Sequence, residues 1–219
     1  LIFSADISGT TALVGFPQAD SASGNGEGVA YMYNQNSLGF WGKSASSILP
    51  DDATTGFGDS INVDGDLACV SAEGNGQDGS YVHVFKLEGE EWVQQDTMGP
   101  FGFVDTCTVS GDTIAVKIYQ GDLNLYKYDR SSNKAIPLHE PLNDMENTDA
   151  KRIGAISMGG KHLLYVTEKF SFTDGWISEE VLAYRQEDFD GNFTLVQQLN
   201  ASDFDIGSKK RKSKARKNE

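Results

Sequence analysis

The stretch 51-DDATTGFGDSINVDGDLACVSA-72 decides the fold of this chain. It contains two short segments, 59–63 and 67–72, separated by a tight turn at Gly65. The first alternates apolar and polar residues, as a strand with one buried face does. A two-residue hairpin loop needs a backbone with positive φ, which glycine adopts without steric cost. The stretch therefore predicts a β-hairpin that a β-branched residue at Gly65 would damage.

The same hairpin occurs four times along the chain. The turn glycines are spaced by 56, 46 and 49 residues, and a period of this size is typical of propeller or solenoid units. No segment has a sustained 3.6-residue apolar period, so the pattern predicts strands throughout. The four turn glycines are Gly9, Gly65, Gly111 and Gly160. The predicted strands are 5–7, 11–16, 28–33 and 39–41, then 59–63, 67–72, 80–85 and 91–95, then 107–109, 113–118 and 123–128, and finally 155–158, 162–167, 180–185 and 193–199.

The repeat predicts an all-β fold, a β-propeller of about four four-stranded blades. Propellers close with about four to eight blades, so we expect a partial or truncated propeller whose exposed terminal blades self-associate. Segment 199–208 resembles the lead-in 49–60 and begins a next unit. The predicted propeller domain covers residues 1–208, with units at about 1–48, 49–98, 99–141 and 142–199. A disordered basic tail follows at 209–219.

Each predicted blade has an inner and an outer strand. The second strand of each unit is the most apolar, and we expect it to lie nearest the hub. The strands near Trp41 and Trp92 are flanked by polar and charged residues. We expect these strands to form the outer edges of their blades, where charge discourages pairing with other chains.

The pair Phe57-Gly58, with Phe57 eight residues before Gly65, resembles the FG-GAP repeat of β-propellers such as the integrin α-chain head. The second half of that motif is matched by Gly15-Phe16-Pro17 and, with more divergence, by Ser71-Ala72-Glu73. The resemblance implies one blade per repeat and a role in extracellular or surface recognition. No unit carries both halves intact, and no complete calcium loop of the integrin kind is present.

These features favour a non-enzymatic binding module of a secreted or cell-surface protein. Recognition sites tend to lie on loops held by a rigid scaffold, so the loops 17–28 and 73–79 are the predicted binding face for a protein or glycan ligand. An intracellular or nuclear scaffold is the alternative, and a hydrolase-like enzyme is a third class. Residues 74–79 match the spacing of a dinucleotide fingerprint, but no helix follows to hold a pyrophosphate.

Charge is divided unevenly along the chain. Of 18 basic residues seven lie in the tail, and of 32 acidic residues only Glu219 does, so residues 1–208 carry a net charge of −20. Such an acidic body repels nucleic acid and favours cations and basic partners. The tail is typical of a nuclear-localisation or anionic-surface patch, or of a solubilising end. Its basic residues are Lys209, Lys210, Arg211, Lys212, Lys214, Arg216 and Lys217.

The remaining candidate sites are short patterns. Cys69 and Cys107 lie on predicted strands of different units, where either a disulfide or two buried thiols fits the sequence. Asn192 and Asn200 begin acceptor sequons that a secreted chain would use for glycosylation. Asp188 and Asp190 form half a calcium loop, the weak metal candidate of this chain.

We predict no cofactor, no catalytic residue and no membrane span. The three histidines lack metal-ligand spacing, and no Gly-x-Ser-x-Gly nucleophile elbow is present. The longest apolar runs fall well short of the ~18 residues that cross a bilayer.

Overall fold

The computed structural model describes residues 4–19, 26–50, 55–74, 79–119, 122–138, 151–171, 175–186 and 193–200. Every regular element in those residues is a β-strand, and the sixteen strands form four antiparallel sheets of four. Strands that are neighbours in sequence are neighbours within each sheet. The fold is therefore all-β with four four-stranded blades, as the repeat predicts. The described part of the chain holds no helix long and apolar enough to cross a bilayer.

The blades follow one another along the chain. Blade 1 consists of β1 (Ser4–Ser8), β2 (Thr11–Phe16), β3 (Val29–Gln35) and β4 (Trp41–Ile48). Blade 2 consists of β5 (Ile61–Asp64), β6 (Leu67–Glu73), β7 (Ser80–Glu88) and β8 (Glu91–Phe101). Blade 3 consists of β9 (Val104–Ser110), β10 (Thr113–Ile118), β11 (Leu123–Asp129) and β12 (Lys134–Pro137). Blade 4 consists of β13 (Lys151–Gly159), β14 (His162–Ser171), β15 (Gly175–Gln186) and β16 (Phe193–Asn200).

The first strand of each blade, not the second, lies at the hub. Contacts between first strands join β1 to β5, β5 to β9 and β9 to β13. The prediction that the second strands lie nearest the axis is wrong. A second strand such as β6, buried at six of its seven residues, is apolar because it lies inside its sheet between two neighbouring blades. The polar residues that alternate along the first strands form hydrogen bonds between neighbouring blades.

The predicted hairpin turns and outer edges are confirmed. Gly9, Gly65, Gly111 and Gly160 have φ values of 58°, 62°, 55° and 58°. A Cβ at any of them would meet no atom within 4 Å, so these positions need glycine for its backbone and not for space. β4 and β8, which contain Trp41 and Trp92, lie at the sheet ends opposite the first strands.

The fourth strand of blade 3 is not among the strands that the sequence predicts. Blade 3 is completed by β12, whose four residues end in Pro137 and alternate only weakly. It pairs with β11 after a turn in which Asn133 adopts a positive φ of 55°. Asp129 caps that turn through Ser131 and Ser132, and these hydrogen bonds lower the pKa of its carboxyl to about 2.

Apolar side chains pack between blades. Three clusters of buried residues lie between blades 1 and 2, 2 and 3, and 3 and 4. Phe85 and Tyr128, aromatic residues on third strands, are 1% exposed because they pack between neighbouring blades. Each blade thus has a front face on the side of the preceding blade and a rear face on the side of the following one, and in blades 2 and 3 both faces are buried.

Candidate functional site

Polar side chains of the innermost strands of blades 1 and 2 cap free backbone N–H groups of the innermost strand in the next blade. At the boundary of blades 3 and 4 the bond runs the other way, because the Ser110 hydroxyl donates to the carbonyl of Gly160 (3.4 Å). Asp6 accepts hydrogen bonds from the backbone N–H of Val63 (2.8 Å) and the side-chain amide of Asn62 (2.7 Å). Asn62 in turn accepts from the backbone N–H of Val109 (2.6 Å) and the hydroxyl of Thr108 (3.1 Å). One side chain therefore links three blades.

The capping repeats at neighbouring register positions. The acceptors lie two residues apart because alternate residues of a strand point to the same face. An unpaired inner edge would leave buried N–H groups without partners, and these side chains supply them. We call the whole set the hub ladder. Its further steps are Gly65 N–H to Ser8 (2.9 Å), Cys107 N–H to Ser60 (3.1 Å) and Gly111 N–H to Asp64 (2.7 Å).

The four innermost strands surround one open cavity, which we call the hub cavity. Its volume is about 430 Å³, and it is lined by 6–8, 61–64, 106–110 and 156–160. Two carboxylates, Asp6 and Asp64, are among the lining residues, and none of the described lining residues is a lysine or arginine. The cavity therefore combines hydroxyl, amide and carboxylate groups with a negative charge.

The Phe57-Gly58 pair fastens blade 2 to blade 1. Phe57 is completely buried and meets the rings of Phe85 and His83 edge to face, with centroids 5.8 and 5.6 Å away. The carbonyl of Gly58 accepts a hydrogen bond from the Ser4 hydroxyl at 2.9 Å. A Cβ at Gly15 would overlap that same carbonyl oxygen. The two half-motifs recognised in the sequence are thus in contact across the blade boundary.

Two glycines to which the sequence analysis gave no role of their own are needed for close packing. Gly28 and Gly79 precede the third strands of blades 1 and 2 and have φ values of 84° and 82°. A Cβ at Gly28 would overlap the backbone of Phe57, in the following blade, and one at Gly79 would overlap the carbonyl oxygen of Phe101, at the end of the fourth strand of its own blade. The signal was present in the sequence as a glycine just before the third strands of blades 1 and 2.

An acidic group lies beside the boundary of blades 2 and 3. Burial raises the pKa of the Asp59 carboxyl, and the negative charges of Glu73 and Asp105 raise it further. Asp105 also forms an ion pair with Lys117, whose side chain is 5% exposed. Among the described residues, no three His, Cys, Asp or Glu side chains are arranged to hold a metal ion.

The two cysteines come together at the same boundary. Cys69 and Cys107 are both free and buried. Burial raises the pKa of the Cys69 thiol well above its usual range, and the adjacent Cys107 thiol adds to the effect. Cys107 also contacts Ser60 through its sulfur at 3.9 Å. Of the two alternatives left open by the sequence, the structure has two free cysteines with no bond between them.

The other predicted sites lie largely outside the described residues. These include the calcium candidates Asp188 and Asp190, the sequon residue Asn192 and the whole of 201–219. Asn200 is the last residue of β16. Of the predicted binding loops, residues 20–25 and 75–78 are not described, so the placement of that face stays a prediction.

Comparison with known proteins identifies the fold alone. No family model matches the chain, and no curated protein matches it. Among solved structures it resembles Sqt1 of Saccharomyces cerevisiae, at 13% identity and a TM-score of 0.44 over 64% of this chain and 34% of that one. It also resembles a functionally unknown protein of Desulfotomaculum acetoxidans, at 11% identity and a TM-score of 0.50, over 85% of this chain and 57% of that one. The WD40 β-propeller domain of Doa1 matches at 8% identity and a TM-score of 0.41, over 90% of this chain and 81% of that one.

The chain spans only 34% and 57% of the lengths of the first two of these structures. All three likenesses lie far below 25% identity, so they concern architecture and carry no information on activity or ligand. The architecture is that of a β-propeller.

Proposed function

We propose that this protein is a non-enzymatic binding module whose hub cavity receives a basic segment of a protein ligand. The observation that carries the proposal is the cavity itself, about 430 Å³ with two carboxylates and no basic residue among its described lining. Binding sites commonly enclose about 300–1,000 Å³ and orient their ligand through a few polar groups. Asp6 and Asp64 would face the positive charge.

The net charge of the protein also favours a basic ligand. Residues 1–208 carry a net charge of −20, which raises the local concentration of cationic partners around the cavity. Because the Debye length is about 8 Å at physiological ionic strength, this attraction weakens with added salt. A neutral glycan would gain nothing from the charge, which is why a basic protein segment is favoured over a glycan.

We further propose that the protein belongs to the FG-GAP family and acts outside the cell or at its surface, as a glycoprotein. Support comes from the contact between Gly58 and Gly15, because it packs the two half-motifs against each other at one blade boundary. The alternative is an intracellular scaffold directed to the nucleus by residues 209–217. A reporter fused to that segment alone would accumulate in the nucleus under the alternative and stay cytoplasmic under our proposal.

The binding proposal is tested by NMR titration of the 219-residue chain with hexa-arginine, hexa-glutamate and a neutral oligosaccharide. We expect hexa-arginine alone to shift the amide signals of 6–8, 61–64 and 106–110. Asp64→Asn keeps an oxygen for the Gly111 N–H but removes the charge, and should weaken binding about fivefold, the equivalent of ~1 kcal/mol. Glu90→Gln is the matched control, because Glu90 is an exposed carboxylate on the β7–β8 turn.

Equal weakening by Asp64→Asn and Glu90→Gln would show a nonspecific charge effect and refute the hub cavity as the site. Shifts of the same amides with the oligosaccharide would replace the protein ligand by a glycan.

A further inference from the structure

The front face of blade 1 is uncovered. Val63 and Val109, at equivalent positions in blades 2 and 3, are 4% and 3% exposed because the preceding blade packs on them. Ile7 occupies that position in blade 1 and is 57% exposed. Val14, on the second strand of blade 1, is also more exposed than its equivalent in blade 2. Val14 is half-buried, whereas Val70 is fully buried. Blade 1 therefore offers an apolar front face, centred on Ile7 and Val14, of the kind that the other blades bury.

The rear face of blade 4 is uncovered in the same way. Leu13, Cys69 and Ala115 occupy equivalent positions in β2, β6 and β10, and each is completely buried under the following blade. Leu164 holds that position in β14 and is 44% exposed. The rear face of blade 4 thus carries a large aliphatic side chain where its equivalents meet the next blade.

These two faces are the two halves of one type of interface. Every buried boundary in the chain joins the rear face of one blade to the front face of the next. The exposure of Ile7 and Leu164 shows that blade 4 does not cover blade 1 of the same molecule. We propose that a second copy of this chain covers both, with the rear face of blade 4 in each copy packed on the front face of blade 1 in the other.

The hub ladder supplies a polar contact at the same junction. Ser157 occupies the ladder position of Asp6 and Asn62, and it lines the hub cavity. Ile7 occupies the position of Val63 and Val109, whose backbone N–H groups are capped by those residues. Following the first two boundaries of the chain, the Ser157 hydroxyl of one copy accepts a hydrogen bond from the Ile7 N–H of the other. Thr108, which holds this position in blade 3, instead donates back to Asn62.

The ladder also predicts which amide stays uncapped. Gly65 and Gly111 donate to Ser8 and Asp64 of the preceding blade. The equivalent acceptor position in blade 4 is Gly159, which has no side chain. The N–H of Gly9 therefore receives no cap at the new junction, in contrast to that of Ile7.

Two copies joined in this way form two identical junctions and a closed twofold assembly. It contains eight blades, within the range of about four to eight at which propellers close. The innermost strands of both copies line a common axis, and the hub cavities remain on it. Ile7 and Ser157 belong both to the junction and to the lining of the hub cavity. Assembly and ligand binding are therefore separated through two other residues, because Leu164 lies outside the cavity lining and Asp64 lies outside the junction.

The test is sedimentation analysis of the 219-residue chain across a concentration series. We expect a reversible dimer and no larger species. Ile7→Arg and Leu164→Arg each place a charge on one terminal face and should each give monomers. Both residues are exposed, so neither change removes a buried contact within the chain. The matched control is Leu38→Arg, because Leu38 is 79% exposed on the turn between β3 and β4.

A mixture of the two arginine variants distinguishes this arrangement from dimers that pair two front faces or two rear faces. Combining Ile7→Arg with Leu164→Arg leaves one junction between two unaltered faces, so a one-to-one dimer of the two variants should reappear at weaker affinity. Amide exchange gives an independent measurement, in which Ile7 is slowed by dimer formation while Gly9 is not. Ser157→Ala removes one hydrogen bond from each of the two junctions and should weaken the dimer roughly 25-fold, about fivefold per bond.

Several results would overturn the proposal. A chain that stays monomeric at millimolar concentration has no such interface. A Leu164→Arg variant that still dimerises indicates front-to-front pairing, and open-ended polymers would exclude the closed ring. Protection of Gly9 together with Ile7 would contradict the register given by the ladder.

Discussion

Replacing Phe57 by alanine should cost about 3–5 kcal/mol of unfolding free energy. Phe57 is completely buried in the cluster that joins blades 1 and 2, and deleting a buried ring removes apolar contact and leaves a cavity. Its edge-to-face contact with Phe85, at 5.8 Å, adds about 0.5–1.5 kcal/mol to the burial. Since domains of this size are stable by about 5–15 kcal/mol, the loss is a large share of the total.

The measurement is urea unfolding followed by tryptophan fluorescence. Trp92 packs against the same cluster and reports on it directly. Phe57→Leu keeps most of the apolar volume and should cost less than half as much, because only the ring contacts are lost. Phe40→Ala is the control, since Phe40 is 69% exposed and surface changes usually stay within about 0.5 kcal/mol. A loss below ~1 kcal/mol for Phe57→Ala would show that the Phe57-Gly58 pair does not hold the two blades together.

Three further predictions test other parts of the fold. Asn62→Leu should cost about 2–4 kcal/mol in urea unfolding, because it leaves partners in two neighbouring blades without hydrogen bonds. Gly28→Ala should destabilise the chain by more than Gly65→Ala in thermal unfolding, since only at Gly28 would the new Cβ overlap backbone. Arg130 binds Asp66 through two hydrogen bonds and lowers the pKa of its carboxyl, so the contribution of this pair, about 0.2–1 kcal/mol, is present near neutral pH and lost as pH falls below ~4. Asp66→Asn should therefore lower the melting temperature slightly at pH 7 and by less at pH 3.

The number of blades and the turns could be predicted from the sequence because they depend on local backbone requirements. Gly65 and its three equivalents need positive φ whatever surrounds them, so the repeat is visible without any knowledge of contacts. Strand β12 could not be predicted in this way, because its four residues are held by pairing with β11 and not by their own pattern.

The order of strands from hub to rim could not be predicted from hydrophobicity. Alternation of polar and apolar residues in 59–63 indicates a strand with one solvated face, and that interpretation made the first strands poor candidates for the axis. In the structure the polar side chains face another strand of the same protein, and Asn62 bonds to blades on both sides. A single sequence does not distinguish a side chain that meets water from one that meets a neighbouring backbone.

The site was only partly foreseen for the same reason. Residues such as Gly28 and Gly79 could be recognised as conformationally special, but the backbone that approaches each of them comes from more than 20 residues further along the chain. The hub cavity is assembled from four segments that are far apart in the chain. Its carboxylates were not singled out, because each lies in an ordinary strand pattern.

The direction of the hub ladder at the first two blade boundaries has a consequence for biosynthesis. Blades 1 and 2 supply acceptors that their successors need, so in this part of the chain a newly made sheet leaving the ribosome finds its docking surface already folded on the amino-terminal side. A duplicated copy of either unit, inserted in the same order, would bring its own acceptors and meet a partner that fits them.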